Sequence, residues 1–166
     1  MQLSKILVAA SALLSTAFAA PPTTRDNLPT FNIWNNCSYP IWVTTVDRIR
    51  YSTESINPHG MWYQNLYYDG MTGTSLQIAR TPTGVDSLSE PILNAAYTYN
   101  KAEKTLYYDL STVGDRGYPF PGEMLLYYAA KDPESYVTWN GSIGEQTTKA
   151  YLGGETDLML HLCIIV

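Results

Sequence analysis

The sequence predicts an all-β protein, a β-sandwich of about nine to eleven short, mainly antiparallel strands. Three observations point there. Short runs rich in Val, Ile, Thr, Tyr and Trp recur along the chain, each bounded by Gly, Pro, Asn or Asp. Where a run is long enough to show a period, the period is two: Leu158, Leu160 and Leu162 take one face while Met159 and His161 take the other. No window of about a dozen residues holds a helical apolar stripe free of Gly and Pro.

The runs place strands over 31–36, 41–47, 61–66, 75–80, 92–100, 105–110, 124–131, 136–139 and 157–163. The first carries Phe31, Ile33 and Trp34. Pro40 opens the second, in which Thr44 and Val46 share a face. Asn57-Pro58-His59-Gly60 is a turn and delivers the third. Gly70 and Gly73 precede the fourth, and Pro91 precedes the fifth. The sixth begins at Thr105, the seventh follows Gly122, the eighth ends at Asn140-Gly141, and Gly153-Gly154 leads into the last. Two connections, 81–91 and 111–122, are longer than hairpins require, and long loops on a β-scaffold are where sites are built.

Length and composition bound the rest. A chain of 166 residues that is 45% hydrophobic buries enough surface for one domain with a real core. Ten Lys and Arg against fifteen Asp and Glu give a formal charge of -5 without a basic run, so nucleic acid is not an expected partner. Tyr is in excess, 14 against 3 Phe, and each Tyr hydroxyl must be paired or wet.

Residues 1–19 read as a secretory signal: a cationic start with Lys5, an apolar run, and Ala17-Phe18-Ala19 as the cleavage site. The apolar run is shorter than the roughly 20 residues a membrane span needs, so no membrane association is expected after cleavage. Residues 20–30, with Pro21 and Pro22, read as a loose arm, and 31–166 as a single β domain. In a secreted chain Cys37 and Cys163 are first a disulfide candidate, with two buried free thiols as the alternative. Secretion also gives meaning to two N-glycan acceptors, Asn140-Gly141-Ser142, placed on an exposed hairpin tip, and the weaker Asn36-Cys37-Ser38.

The chemistry available is narrow. His59 lies in a turn and His161 on a strand between leucines. There is no nucleophile elbow, no metal-ligand spacing and no phosphate loop, so neither a cofactor nor a metal is expected. Carboxylates remain: Asp109 closes a strand, and Asp115 and Glu123 lie in or beside the following loop. Two carboxyls held about 5 Å or about 6.5–9.5 Å apart could run glycoside hydrolysis; the commoner use of such an Asp is to satisfy turn backbone. The pairs Tyr67-Tyr68, Tyr107-Tyr108 and Tyr127-Tyr128 would each send one ring inward and one outward. The outward rings either pack across strands or stack on sugars.

Asn35-Asn36-Cys37-Ser38-Tyr39-Pro40-Ile41-Trp42-Val43, Tyr108-Asp109-Leu110-Ser111 before the Gly- and Pro-bearing loop 114–122, and Asp157-Leu158-Met159-Leu160-His161-Leu162-Cys163 together resemble the thaumatin-like superfamily. Size and spacing look most like its small secreted fungal branch, named after the Blastomyces yeast-phase-specific protein. The resemblance implies a thaumatin-like sandwich found at fungal surfaces or in culture fluid. Larger plant relatives bind β-1,3-glucan, and some hydrolyse it, through an acidic cleft. Asp109 matches one cleft aspartate, the second falls at Gly114 with Asp115 displaced by one, the cleft glutamate falls at Ala96 before Tyr97, and Arg80-Thr81 is similar to the cleft arginine.

The expectation is therefore a secreted, non-enzymatic protein at the cell wall or in the extracellular space, with β-glucan or another wall polysaccharide as partner. Arg80, Tyr108 and Tyr118 are its glycan-binding candidates. Two alternatives stand beside it. One is an endo-β-1,3-glucanase using Asp109 with Asp115 or Glu123. The other is an antifungal protein, or a host-facing effector or antigen, that binds a host or cell-surface protein through the long loops.

Overall fold

The computed structural model describes residues 28–68 and 70–164. Eleven strands follow in chain order: β1 (Thr30–Asn35), β2 (Ile41–Val46), β3 (Tyr51–Ile56), β4 (Met61–Asn65), β5 (Thr74–Ala79), β6 (Leu93–Asn100), β7 (Thr105–Thr112), β8 (Met124–Ala129), β9 (Asp132–Asn140), β10 (Lys149–Tyr151) and β11 (Leu158–Ile164). A single 3-10 turn, Gly114–Arg116, interrupts them. Five strands form one sheet in the order β4-β1-β11-β8-β9, and six form the other in the order β10-β7-β6-β5-β2-β3. All pairings are antiparallel except β1 with β11, which run parallel side by side.

Period-two patterning makes these strands because each sheet has one face to bury. In β8 Leu125, Tyr127 and Ala129 are buried while Met124, Leu126 and Tyr128 are not; β6 buries Leu93, Ala95, Tyr97 and Tyr99. The inward rows meet in one core that includes Phe31, Ile33, Leu76, Ile78, Leu110, Trp139, Leu158 and Leu160. Its centre is aromatic: the Phe31 ring lies 5.8 Å from Tyr97 and 5.4 Å from Tyr127, and Tyr108 meets Tyr127 edge-on at 5.1 Å.

The tyrosine excess has its explanation here. The Tyr127 hydroxyl of the five-stranded sheet donates to the Ala96 carbonyl of the six-stranded sheet at 3.2 Å, and the Tyr108 hydroxyl donates the other way, to the Ser135 carbonyl at 2.5 Å. The Tyr97 hydroxyl accepts the Tyr67 N–H, and the Tyr99 hydroxyl donates to Glu155. A phenylalanine would fill the same space and leave those connections unmade.

The nine expected strands are present, with differences that have physical causes. Strands β3 and β10 are additional; both are edge strands, and β3 exposes every residue but Ile56. Strand β9 begins at Asp132 and tolerates Pro133 because it too lies at a sheet edge. Order begins before Phe31: Pro29 is buried and its carbonyl accepts the Leu66 N–H at 2.7 Å, so residues 28–30 are anchored and not part of a loose arm. The signal segment with its cleavage site, and residues 20–27 of the arm, lie outside the described residues. Of the tyrosine pairs, Tyr107-Tyr108 and Tyr127-Tyr128 split between the faces as expected, whereas Tyr67 and Tyr68 follow β4 in a loop and are both half-buried.

Cys37 and Cys163 form a disulfide across a sequence separation of 126. The β-bulge between Leu162 and Ile164, with Cys163 at a φ of 55°, turns two consecutive residues inward and so brings the second sulfur to the first. Asn140 is exposed but is not at a hairpin tip. The β8–β9 hairpin turns at residues 130–131, and Asn140 lies at its open end, where Gly141 and the 122–123 turn exchange backbone hydrogen bonds.

Candidate functional site

The long connections converge with the β1–β2 turn at one end of the sandwich. Arg80 leaves the end of β5 and its guanidinium carbon sits 3.9 Å above the Tyr39 ring, a cation–π contact. Tyr118, from the loop before β8, donates its hydroxyl to the Glu123 carbonyl at 3.2 Å and meets Phe120 and Trp139 edge-on, at 5.8 Å and 5.5 Å. Arg80, Tyr118, Glu90, Pro91, Pro119 and Pro121 line a depression of about 250 Å³. Thr81 holds Glu90 on its rim with a 2.5 Å hydrogen bond to Oε2. Burial pushes the Tyr118 hydroxyl well above the ordinary phenol range, and the neighbouring Tyr39 and Glu123 add to the shift. Burial also raises Tyr39, Arg80 opposes that, and Glu123 reinforces it. Both hydroxyls stay protonated at physiological pH, next to a fixed cation. Such a surface can take a neutral polyhydroxylated or weakly acidic ligand.

Of the three candidate carboxylates only Glu123 lies beside these tyrosines, near Glu90 on the rim. Asp109 sits on the outer face of the six-stranded sheet, beside Thr98, Tyr107 and Thr148 in a separate depression of about 200 Å³. Its half-buried carboxyl is raised by desolvation. Asp115 belongs to the 3-10 turn and lines a third depression with Leu88, Ser89 and Arg116. Glu123 stays near Tyr39 and Tyr118, whose hydroxyls feel its charge. Of the sequence candidates, the fold thus brings together Arg80, Tyr118 and Glu123; Asp109 lines a depression on the outer face of the six-stranded sheet, and Asp115 lines one whose Ser89 adjoins Glu90 in the chain. Tyr108 is corrected: it is the inward member of its pair, 1% exposed, and has no ring face to offer a sugar. Its neighbour Tyr107 is the exposed one. Tyr39 and Glu90 were not anticipated; the Tyr39-Pro40 dipeptide reads as turn chemistry, and nothing about Glu90 marks it in the sequence.

The position where the resemblance puts a cleft glutamate is directly opposite Asp109: Ala96 is its register partner across β6 and β7. The place for a paired carboxylate therefore exists, and a methyl group fills it. Gly114, where the second aspartate would fall, adopts φ 59°, which favours glycine over aspartate.

A second surface lies on the outside of the five-stranded sheet. Trp34, His161 and Tyr128, from β1, β11 and β8, hold their ring planes parallel within 5°, with centroids 6.0 Å and 5.9 Å apart. His161 is the strand histidine that the alternation implied, and burial lowers its pKa, which keeps the imidazole neutral at physiological pH. Among the described residues no group of three or more His, Cys, Asp or Glu could hold a metal ion, and no helix is long and apolar enough to cross a membrane.

Two sheets of these strands, closed by a disulfide and carrying their loops at one end, define a thaumatin-like sandwich. The fold is similar to the crystal structure of the protein elicitor MoHrip2 from Magnaporthe oryzae, with a TM-score of 0.59 and 13% identity, over 82% of this chain and 99% of that one. It is also similar to the thaumatin-like xylanase inhibitor TLXI, with a TM-score of 0.53 and 10% identity, over 82% and 99%. The chain belongs to the Blastomyces yeast-phase-specific protein family, whose model matches residues 19–164. No curated protein sequence matches it.

Proposed function

We propose that the protein is secreted and works at the fungal wall or in the extracellular space by binding polysaccharide, not by hydrolysing it. The observation that carries this reading is the depression lined by Arg80 and Tyr118, with the Tyr39 ring beneath the Arg80 guanidinium, while Asp109 lies in another depression opposite Ala96. Ring faces, protonated hydroxyls and one cation suit sugar binding. Hydrolysis through Asp109 needs a second carboxylate at the same bond, and the partner position of Asp109 is Ala96. The disulfide fits an oxidising compartment.

The test is retention on insoluble β-1,3-glucan beside a reducing-sugar assay on laminarin. Retention that falls at least tenfold in Arg80→Ala and Tyr118→Ala, without sugar release, supports the reading. Release that disappears in Asp109→Asn overturns it in favour of the glucanase. A protein-binding role is the second reading, favoured because the two structural neighbours are named as a protein elicitor and as a xylanase inhibitor. Loss of glucan retention together with capture of a defined host protein through the 81–91 loop would select it.

A further inference from the structure

Asn36 continues the β1 ladder past Asn35, donating its N–H to the Leu162 carbonyl at 3.1 Å, so its side chain turns outward on the same face as Trp34. Both Asn36 and Ser38 are exposed. Asn36 is also part of the wall of an open depression of about 520 Å³ on that face, whose other walls include His59, Leu126, Tyr128, His161 and Ile164. The walls are mainly apolar. Their polar atoms are few: the Tyr128 hydroxyl lies 3.4 Å from His161 Nε2. One apolar ring face, flanked by hydroxyls and an acetamide, is what an N-acetylhexosamine presents, and aromatic walls with a sparse polar rim are what such a ring packs against.

We propose that Asn36 carries an N-glycan and that its first N-acetylhexosamine residues lie in this depression, covering the Tyr128–His161 part of the parallel-ring row. The covalent tether names the occupant: a sugar on Asn36 starts inside the wall of the depression. In the transfer, the Asn36 amide nitrogen bonds C1 of a lipid-pyrophosphate-linked oligosaccharide. The bond from C1 to the pyrophosphate oxygen breaks, the lipid pyrophosphate leaves with the electron pair, and the amide proton passes to a base. The proposal rests on the secretion reading, since the co-reactant belongs to the secretory pathway. It gives the exposed face a cover that the protein brings with it.

The experiment expresses the full chain in a glycosylating yeast with its own leader and, in parallel, behind a host leader. Absence from the medium only with the native leader sinks the secretion reading and leaves the second arm to test the seat. Site occupancy is read by peptide mass spectrometry after enzymatic deglycosylation in heavy-oxygen water. Asn36 is expected to be occupied. Deglycosylating the folded protein is expected to lower the melting temperature by about 2–4 °C and to raise hydrophobic-dye fluorescence; Asn36→Gln should do the same. In Tyr128→Ala the shift on deglycosylation should shrink at least twofold. An unmodified Asn36 in secreted protein, or a modified Asn36 whose sugar can be removed with no change in melting or dye binding, overturns the proposal. So does binding of an added glucan or protein to this face at full Asn36 occupancy.

Discussion

Asn35 holds the start of the fold together through its side chain. It is fully buried, its amide nitrogen donates to the carbonyls of Tyr39, Ile56 and Asn57 at 3.0–3.1 Å, and its amide oxygen accepts the Cys37 N–H at 3.1 Å. One side chain thus ties the end of β1 to the turn before β2 and to the end of β3. Asn35→Ala strands those buried backbone groups and should cost about 2–4 kcal/mol, read as a lower denaturant midpoint at unchanged slope. In the sequence Asn35 was visible only as part of a motif, because a buried amide leaves no periodic trace. Asp109 behaves oppositely. Desolvation raises its pKa above the ordinary carboxylate value of 3.8, so the folded state favours the protonated acid. That contribution is fully present below the unfolded pKa and is lost as pH rises through the folded one. Asp109→Asn should therefore raise the melting temperature near pH 7 by about 1–2 °C, and the gain should vanish below about pH 3.8. A gain equally large at pH 3 would mean that burial of the charge is not its cause.

Strands that bury a face were legible and those that do not were missed. The alternation in β8 and β11 reports a core on one side, whereas β3 is held by backbone bonds to β2 with only Ile56 buried, and β10 is three residues long. Hydrogen bonds hold such edges regardless of which side chains are present, so composition carries no record of them. The site was half legible for a related reason. Arg80 and Tyr118 stand on long loops where chemistry is expected, but Tyr39 meets Arg80 only through tertiary packing. The β6–β7 register makes a sharper prediction. Ala96→Glu would put a carboxylate beside Asp109, where paired side chains stand about 4.5–5.5 Å apart at Cβ, and like charge must raise the Asp109 pKa further. A carboxyl-carbon NMR titration reads this directly; an unmoved Asp109 would mean that the two side chains diverge.

The whole molecule is braced in three ways: a mixed aromatic core, tyrosine hydroxyls bonded across the sheets, and the Cys37–Cys163 link. A bridge spanning 126 positions restricts the unfolded chain strongly. Replacing both cysteines by serine should cost roughly 3–5 kcal/mol and lower the melting temperature by about 10 °C, with the same strand content by circular dichroism. Reduction of the wild-type protein should reproduce the shift.

The parallel pairing of β1 with β11 also sets a timetable. Strand β11 occupies the middle of its sheet, between β1 and β8, so before it arrives the sheet exists only as two separate hairpin-like halves, β4-β1 and β8-β9. A chain emerging from the ribosome in order can complete the six-stranded sheet through residue 151 while the opposite layer still lacks its keystone. Closure, and the pairing of the two sulfurs with it, must wait for β11 to be made. A chain stalled before Leu158 would expose Phe31, Ile33 and Tyr127, which makes arrival of β11 the step that ends their exposure to chaperones and proteases.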